Sequence, residues 1–238
     1  MVRCRRWPKA WNEFGAPASA GVTCDVAIYC CLPLPDSVPG YSDRINHALA
    51  FAAKHHDQQV RKGTRSPYLT QPANVAIMLT AYGRSESTVV AGILHDVLAD
   101  YVRDGLTRDA LDQRVGEKFG ADVVETLLAI IPRRSDSDGV ELAADERRSD
   151  VLTRVSAAPD EAKWVCCADQ LHGAASLATD LRRTVDPAMV WARQVGGRDG
   201  ALTWYRNVCN SLSTRAFAAP IMVELQAAVS DLERQSAS

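Results

Sequence analysis

Residues 86–100 read ESTVVAGILHDVLAD, a largely apolar stretch with a histidine–aspartate pair inside it. On a helix, its apolar side chains would cover every face rather than one stripe. They are Val89, Val90, Ala91, Ile93, Leu94, Val97 and Leu98. A helix that is apolar on all sides is typically buried in the centre of a domain. We therefore predict a central helix here, with His95 and Asp96 in its buried part and Asp100 one turn later.

A histidine and two carboxylates in such a helix require an explanation, because a buried charge is costly unless it is paired or bound to a metal. His95 shares a side of the helix with small residues such as Ala91 and Gly92, so a second helix can approach closely there. Two interpretations remain open at this point: a hydrogen-bonded core pair, or a functional site. The adjacent His95 and Asp96, followed by Asp100, favour the site.

The rest of the chain from residue 42 also has helical periodicity. Ser42 or Asp43 can cap a first helix, and Pro72 suits the first turn of a second. Further helices are predicted over residues 107–119, 121–131, 140–155, 159–184, 199–218 and 220–235, and no alternating strand pattern is found. The prediction is an all-α, multi-helix bundle over residues 42–238. Residues 1–41 lack this periodicity and are predicted to be an irregular, poorly structured leader.

The composition is that of an ordinary soluble globular protein, with 47% hydrophobic and 24% charged residues among 238. The net charge of −2 does not favour nucleic acid or an anionic membrane, so an anionic ligand must be held by a local group of cations. The apolar run over residues 22–34 is interrupted by Asp25 and Pro33 and is too short to span a bilayer. The seven cysteines are odd in number and include two adjacent pairs, which indicates reduced thiols and a cytoplasmic protein.

Two further clusters could contribute chemistry. On the predicted helix over residues 159–184, Asp169 lies in a stripe with His172 and Ser176, at the edge of a buried face. An ordinary hydrogen-bond acceptor or surface ion pair explains Asp169 equally well, and His172 is expected to be a packing or substrate-edge residue. The second cluster contains Arg61 and Lys62 in the loop after the first helix, where a solvated basic loop is the simpler alternative.

These stretches resemble the RelA/SpoT hydrolases, which belong to the HD-type phosphohydrolases. Residues 48–62, ALAFAAKHHDQQVRK, followed by Pro67-Tyr68, are similar to the opening A-x-x-F-A-x-x-x-H-x-x-Q-x-R-K of that domain. Residues 91–100 resemble its A-x-L-L-H-D-V-V-E-D helix, and residues 168–172, ADQLH, resemble A-D-R-L-H-N. Order and spacing agree over about residues 45–210. No synthetase or regulatory domain follows, so the likeness is to the small stand-alone members, including the metazoan SpoT homologues.

The resemblance implies a metal-dependent removal of the 3′-pyrophosphate from guanosine tetra- or pentaphosphate, a guanosine alarmone of the stringent response. It implies Mn²⁺ or another divalent metal held by His95, Asp96 and Asp169. It further implies that Arg61, Lys62 and Ser176 contact the nucleotide.

The sequence departs from the family pattern at four positions. Gln71 stands where the family has a histidine ligand, and an amide oxygen is a weaker ligand for a transition metal. Ala99 replaces the glutamate that handles the attacking water, which leaves Asp100 as the candidate catalytic carboxylate. Gln170 and Gly173 replace an arginine and an asparagine. The open alternatives are a working hydrolase of a guanosine alarmone or related nucleotide, a non-catalytic nucleotide- or partner-binding regulator, and a purely structural helical module.

Overall fold

The computed structural model describes residues 40–61, 63–99, 108–136, 138–213 and 217–236. Across these residues the chain forms ten helices and no strand, which confirms the all-α prediction. The predicted leader, apart from its last two residues, lies outside the described residues, so the boundary at residue 42 stays a prediction. The helices are α1 (Asp43–His55), α2 (Thr70–Ala81), α3 (Glu86–Ala99), α4 (Arg108–Phe119), α5 (Ala121–Ile130), α6 (Ala144–Ala157), α7 (Asp160–Arg183), α8 (Pro187–Trp191), α9 (Gly197–Ser213) and α10 (Pro220–Ser236).

Helix α3 is the central element, as its all-round apolar pattern predicts. It packs against α1, α2, α4, α5 and α7, and its side chains from Val90 to Leu94 are fully buried. The small residue Gly92 faces α2, where Leu79 and Val75 pack against it. The second long buried element, α7, packs against α3 on one side and α10 on the other. These two helices place His95, Asp96 and Asp169 in the same part of the core.

Two predicted helix boundaries, the start of α6 and the end of α9, differ from the structure by several residues. Helix α6 begins at Ala144 rather than residue 140, because Asp136 accepts hydrogen bonds from the backbone N–H groups of Asp138 and Val140 and holds a turn there. Helix α9 ends at Ser213, and residues 217–219 are not helical before Pro220, which disfavours helix in the residue that precedes it. The short helix α8 was not predicted, although Asp186 caps it and Pro187 opens it. The Ser42 cap is confirmed: its Oγ accepts a hydrogen bond from Ile45 N.

The loop between α1 and α2 is held in shape by its own backbone. Val60 and Pro67 form an isolated bridge, and Arg61 N donates to Ser66 O at 2.8 Å. Gly63 adopts a φ of +97°, and the Arg193 side chain lies directly over it, where a Cβ atom would be. Arg193 thus packs against the loop that follows α1.

Arg154 of α6 completes the C-terminal end of α5. Its guanidinium donates to Leu128 O at 2.7 Å and to Ile131 O, and its Nε donates to Asp150 at 2.9 Å. Terminal helix carbonyls without such donors are costly when they are partly buried. No described helix is long and apolar enough to cross a membrane.

We expect Arg154→Met to lower the free energy of unfolding by about 1–3 kcal/mol, because it removes charge-assisted hydrogen bonds while keeping the apolar stem. The measurement is a urea titration followed by circular dichroism. Arg147→Met, on the same helix, removes an equal charge and should change stability by no more than about 0.5 kcal/mol. Equal effects of the two variants would contradict the capping role of Arg154.

Candidate metal centre and adjoining cavity

His95 is buried in α3 with one ring nitrogen committed to its own helix. Nδ1–H donates to the backbone carbonyl of Gly92 at 2.7 Å, so Nε2 faces away from the helix. Nε2 lies 3.2 Å from Asp169 Oδ1 and 3.4 Å from Asp96 Oδ1. Burial lowers the pKa of His95, but the charges of Asp96 and Asp169 outweigh this and raise it to about 10. The surroundings therefore stabilise a positive charge at this point in the core.

Asp96 has an unused hydrogen-bonding atom. Its side chain is 15% exposed, and burial raises the pKa of its carboxyl group while the charge of His95 opposes that change. Oδ2 is buried and accepts no hydrogen bond of good geometry from a described residue, although the Tyr68 side chain is close enough to lower the pKa of the Asp96 carboxyl group. Because a buried carboxylate oxygen without a donor is costly, Asp96 could accept one further cationic partner.

Asp169 of α7 joins the side chains of three other residues. Oδ1 accepts hydrogen bonds from Gln71 Nε2 at 2.9 Å and from His95, and Oδ2 accepts one from Gln170 Nε2 at 2.7 Å. Burial raises the pKa of Asp169, but His95 and these amide donors lower it below its ordinary value. The structure thus brings together His95, Asp96, Asp169 and Gln71 from three helices.

The donor set of this cluster suits a divalent cation. An imidazole nitrogen, carboxylates and an amide oxygen are ligands for Mn²⁺ and similar ions. The bond from His95 Nδ1–H to a carbonyl is the arrangement that metal-binding histidines typically have. Within the described residues, however, no three His, Cys, Asp or Glu side chains are spaced as a ready metal site. His95 Nε2 instead contacts both carboxylates directly. Cation binding would require His95 to exchange these contacts for the ion.

A cavity of about 400 Å³ opens beside Asp169 and Gln71. Its walls carry three arginines, Arg61, Arg148 and Arg193, against two carboxylates, Asp169 and Asp180. This group of cations provides locally what the net charge of −2 does not provide globally. The cavity is therefore suited to an anionic ligand that reaches the carboxylate cluster.

Two aromatic residues of α9 explain two of the departures from the family pattern. Trp204 Nε1–H donates to Gln170 Oε1 at 2.8 Å, so Gln170 connects the cavity wall to Asp169. The Tyr205 hydroxyl lies 2.8 Å from the point where a Cβ on Gly173 would be, so it fills the space of the missing side chain. Burial raises the pKa of Tyr205 well above its ordinary value. Gln170 and Gly173 thus pack against residues of a distant helix.

Arg61 and Ser176, both proposed nucleotide contacts, meet at the edge of this region. Arg61 donates to Ser176 Oγ at 3.4 Å, and both line a second cavity of about 540 Å³ next to the first. His172 lies beside α2, with Nε2 3.3 Å from Asn74 Nδ2, rather than in the carboxylate cluster. Lys62 and Asp100 fall outside the described residues.

The model of the HD domain family matches residues 48–191, well over half of the chain. The chain belongs to the HD domain family. His95 and Asp96 lie within the matched region, and so do Gln71 and Asp169.

Curated relatives match this chain over only a part of their own length. A guanosine-3′,5′-bis(diphosphate) 3′-pyrophosphohydrolase of Aquifex aeolicus is 33% identical over 135 residues, which are 53% of this chain and 19% of that protein. A GTP pyrophosphokinase of Myxococcus xanthus is 24% identical over 204 residues, which are 81% of this chain and 25% of that protein. The chain thus spans a quarter or less of the length of these relatives.

Solved structures share the fold. That of a metazoan ortholog of SpoT, described as hydrolysing ppGpp, superimposes with a TM-score of 0.60 at 22% identity, covering 82% of this chain and 97% of the other. A protein of Listeria monocytogenes EGD-e gives a TM-score of 0.54 at 23% identity, covering 67% of this chain and 96% of the other.

Several cavity residues of this HD domain carry no signal in the local sequence. Arg148, Arg193, Trp204 and Tyr205 come from the α6–α9 part of the chain, far in sequence from the HD pair. Each is an ordinary residue of an amphipathic helix or a loop. Only the packing of α6, α9 and the residues after α8 beside α7 shows that these four side chains line the same cavity as Asp169.

Proposed function

We propose that this HD domain is a divalent-metal-dependent phosphohydrolase that removes pyrophosphate from guanosine 3′,5′-bis(diphosphate) or a related phosphorylated nucleotide. The observation that carries the proposal is the convergence of His95, Asp96, Asp169 and Gln71 beside a cavity lined by arginines. The family resemblance of these positions and the similarity to a 3′-pyrophosphohydrolase support the same reaction class.

The roles of the residues follow from their contacts. His95, Asp96 and Asp169 would hold the metal, for which we propose Mn²⁺, and Gln71 would add a weak amide-oxygen ligand. A bound divalent cation would act as Lewis acid and activate water for attack on phosphorus. Gln170 would keep the Asp169 carboxylate in place through the hydrogen bond to its Oδ2.

The substrate would occupy the cavity beside this cluster. Arg61 would bind a phosphate group with its guanidinium, which Ser176 orients through the contact at 3.4 Å. Lys62 is proposed as a second phosphate contact and Asp100 as the carboxylate that orients the attacking water. Both roles rest on the resemblance alone.

A non-catalytic nucleotide-binding regulator is the second candidate. Gln71 directs its amide N–H group, not its oxygen, at Asp169, so it stabilises the carboxylate without a metal. Ala99 offers no carboxylate next to the cluster. These two observations favour a domain that has kept its ligand cavity and lost turnover.

The test is pyrophosphate release from guanosine tetraphosphate with Mn²⁺, using the wild type and Gln71→His/Ala99→Glu. The hydrolase proposal predicts that the wild type releases pyrophosphate only when the metal is present. The glutamate introduced by Ala99→Glu would act as a general base and should raise the rate by about 10²–10⁴-fold. An inert wild type with an active double variant would establish the regulator instead. If both are inert while the wild type binds the nucleotide, the assignment of positions 71 and 99 is wrong.

A further inference from the structure

A second concentration of positive charge lies between α1 and α4, away from the carboxylate cluster. It surrounds a cavity of about 290 Å³, which we call the α1–α4 groove. The groove shares no lining residue with the two cavities that contain Arg61. Its walls are formed by His47, Ala50, Phe51, Lys54, His55, Leu111, Arg114 and Lys118.

The lining contains two lysines, one arginine and two imidazoles, and no carboxylate. Lys54, Arg114 and Lys118 form no ion pair with any described residue. Glu117, which precedes Lys118 in the sequence, accepts a hydrogen bond from Gln113 at 2.9 Å rather than from a cation of the groove. Elsewhere on the surface, arginines such as Arg206 have a carboxylate partner. Among the described residues, the like charges of Lys54, Arg114 and Lys118 thus lie along one groove without a carboxylate in its lining, a situation that a bound anion would relieve.

Aromatic rings lie at the base of the groove, and one of them contacts the guanidinium of Arg114. Phe119 packs against His47 at 4.9 Å and against Phe51 at 5.6 Å between ring centroids. The Arg114 guanidinium lies over the Phe51 ring at 5.9 Å, so it is held along the groove. Lys54 lines the groove from α1, and Arg114 and Lys118 line it from α4, so its cations come from both walls.

We propose that the α1–α4 groove binds a small phosphate-bearing anion, with a diphosphate group as the ligand chemistry. The volume is at the low end for small-ligand sites, so it suits the phosphates better than a whole nucleotide. The guanidinium and ammonium groups would supply charge-assisted hydrogen bonds. The side chains of Lys54, Arg114 and Lys118 are exposed, so a ligand could reach them from solvent.

The experiment is titration calorimetry with inorganic pyrophosphate in EDTA, so that binding through a metal does not contribute. We expect the full chain to bind, and Lys54→Ala/Arg114→Ala/Lys118→Ala to weaken binding at least about tenfold through the loss of charge-assisted bonds. The variant should keep the wild-type circular dichroism spectrum, since all three side chains are exposed. GDP as a second ligand distinguishes a bare diphosphate, which binds equally well, from a nucleotide, which binds more tightly.

Two matched variants decide the location. Arg182→Ala/Arg206→Ala/Arg234→Ala removes the same net charge from another surface and should leave binding unchanged. Arg61→Ala removes the guanidinium proposed to bind phosphate in the cavity beside Asp169, so it should weaken only pyrophosphate bound there and leave the binding in the groove. No binding by the wild type, equal loss in the charge-matched control, or loss only in Arg61→Ala would each overturn the proposal. Pyrophosphate release activity plays no part in this outcome, so the result is independent of the proposed hydrolase.

Discussion

If Asp169 is a metal ligand as proposed, Asp169→Asn should lower the affinity for Mn²⁺ at least about 100-fold, because removing a ligand should cost at least as much as removing a residue that only supports one. Asp169 is the point at which Gln71, His95 and Gln170 meet, and its charge balances that of the imidazole. The neutral amide keeps the shape of the side chain and removes the charge. The measurement is titration calorimetry of the purified chain with Mn²⁺, accompanied by pyrophosphate release from guanosine tetraphosphate.

Asp180→Asn is the matched control for this experiment. Asp180 lines the same cavity and lies three helical turns after Asp169 on α7. It carries the same charge, so a general electrostatic effect would appear equally in both variants. We expect Asp180→Asn to bind Mn²⁺ as the wild type does. Wild-type affinity in Asp169→Asn would show that the metal ligands have been wrongly assigned.

Gly92→Val should lower the free energy of unfolding by about 3 kcal/mol, the upper part of the range for overpacked cores. A Cβ on Gly92 would lie 2.5 Å from Leu79 Cδ1 and 3.1 Å from Val75 Cγ1. Both neighbours are completely buried, so neither can move aside without disturbing the core. The gain in helix propensity on replacing glycine is at most about 1 kcal/mol and cannot offset this. Urea denaturation gives the value.

Gly116→Ala supplies a control with the opposite sign. Gly116 also lies inside a helix, α4, but a Cβ there would be 3.6 Å from Val124 Cγ2, an ordinary contact. We expect this variant to gain about 0.5–1 kcal/mol from the lower backbone entropy of the unfolded chain. If Gly92→Val is as stable as the wild type, α2 and α3 do not approach as closely as the structure has them.

Most of the helical framework follows from local patterns. Periodicity, the Ser42 cap and the proline positions predict nine of the ten helices, because each helix must bury one face and satisfy its own terminal groups. The two clearest differences between the predicted and observed helices have separate causes. Asp136 holds a turn where the apolar pattern predicted the start of α6, and the five-residue α8 is too short for periodicity to be recognised.

The candidate site was predictable in its centre and not at its edges. His95 and Asp96 stand out because a charged pair in an all-apolar helix has few structural explanations, and their resemblance to known motifs led to Asp169 and Gln71. The wall formed by Trp204 and Tyr205 has no such signal. Gln170 and Gly173 looked like simple losses in the sequence, yet in the structure one bonds Trp204 and the other makes room for Tyr205.

The amino-acid sequence alone determined the helical class, the buried position of α3 and the residue types able to hold a cation, because these depend on periodicity and side-chain chemistry within short segments. Only the tertiary structure decided that Gln71 donates to Asp169, that Tyr205 occupies the space beside Gly173, and that Lys54, Arg114 and Lys118 share one groove. These facts depend on how distant helices pack, and packing is set by the shapes of many side chains at once rather than by any single stretch of sequence.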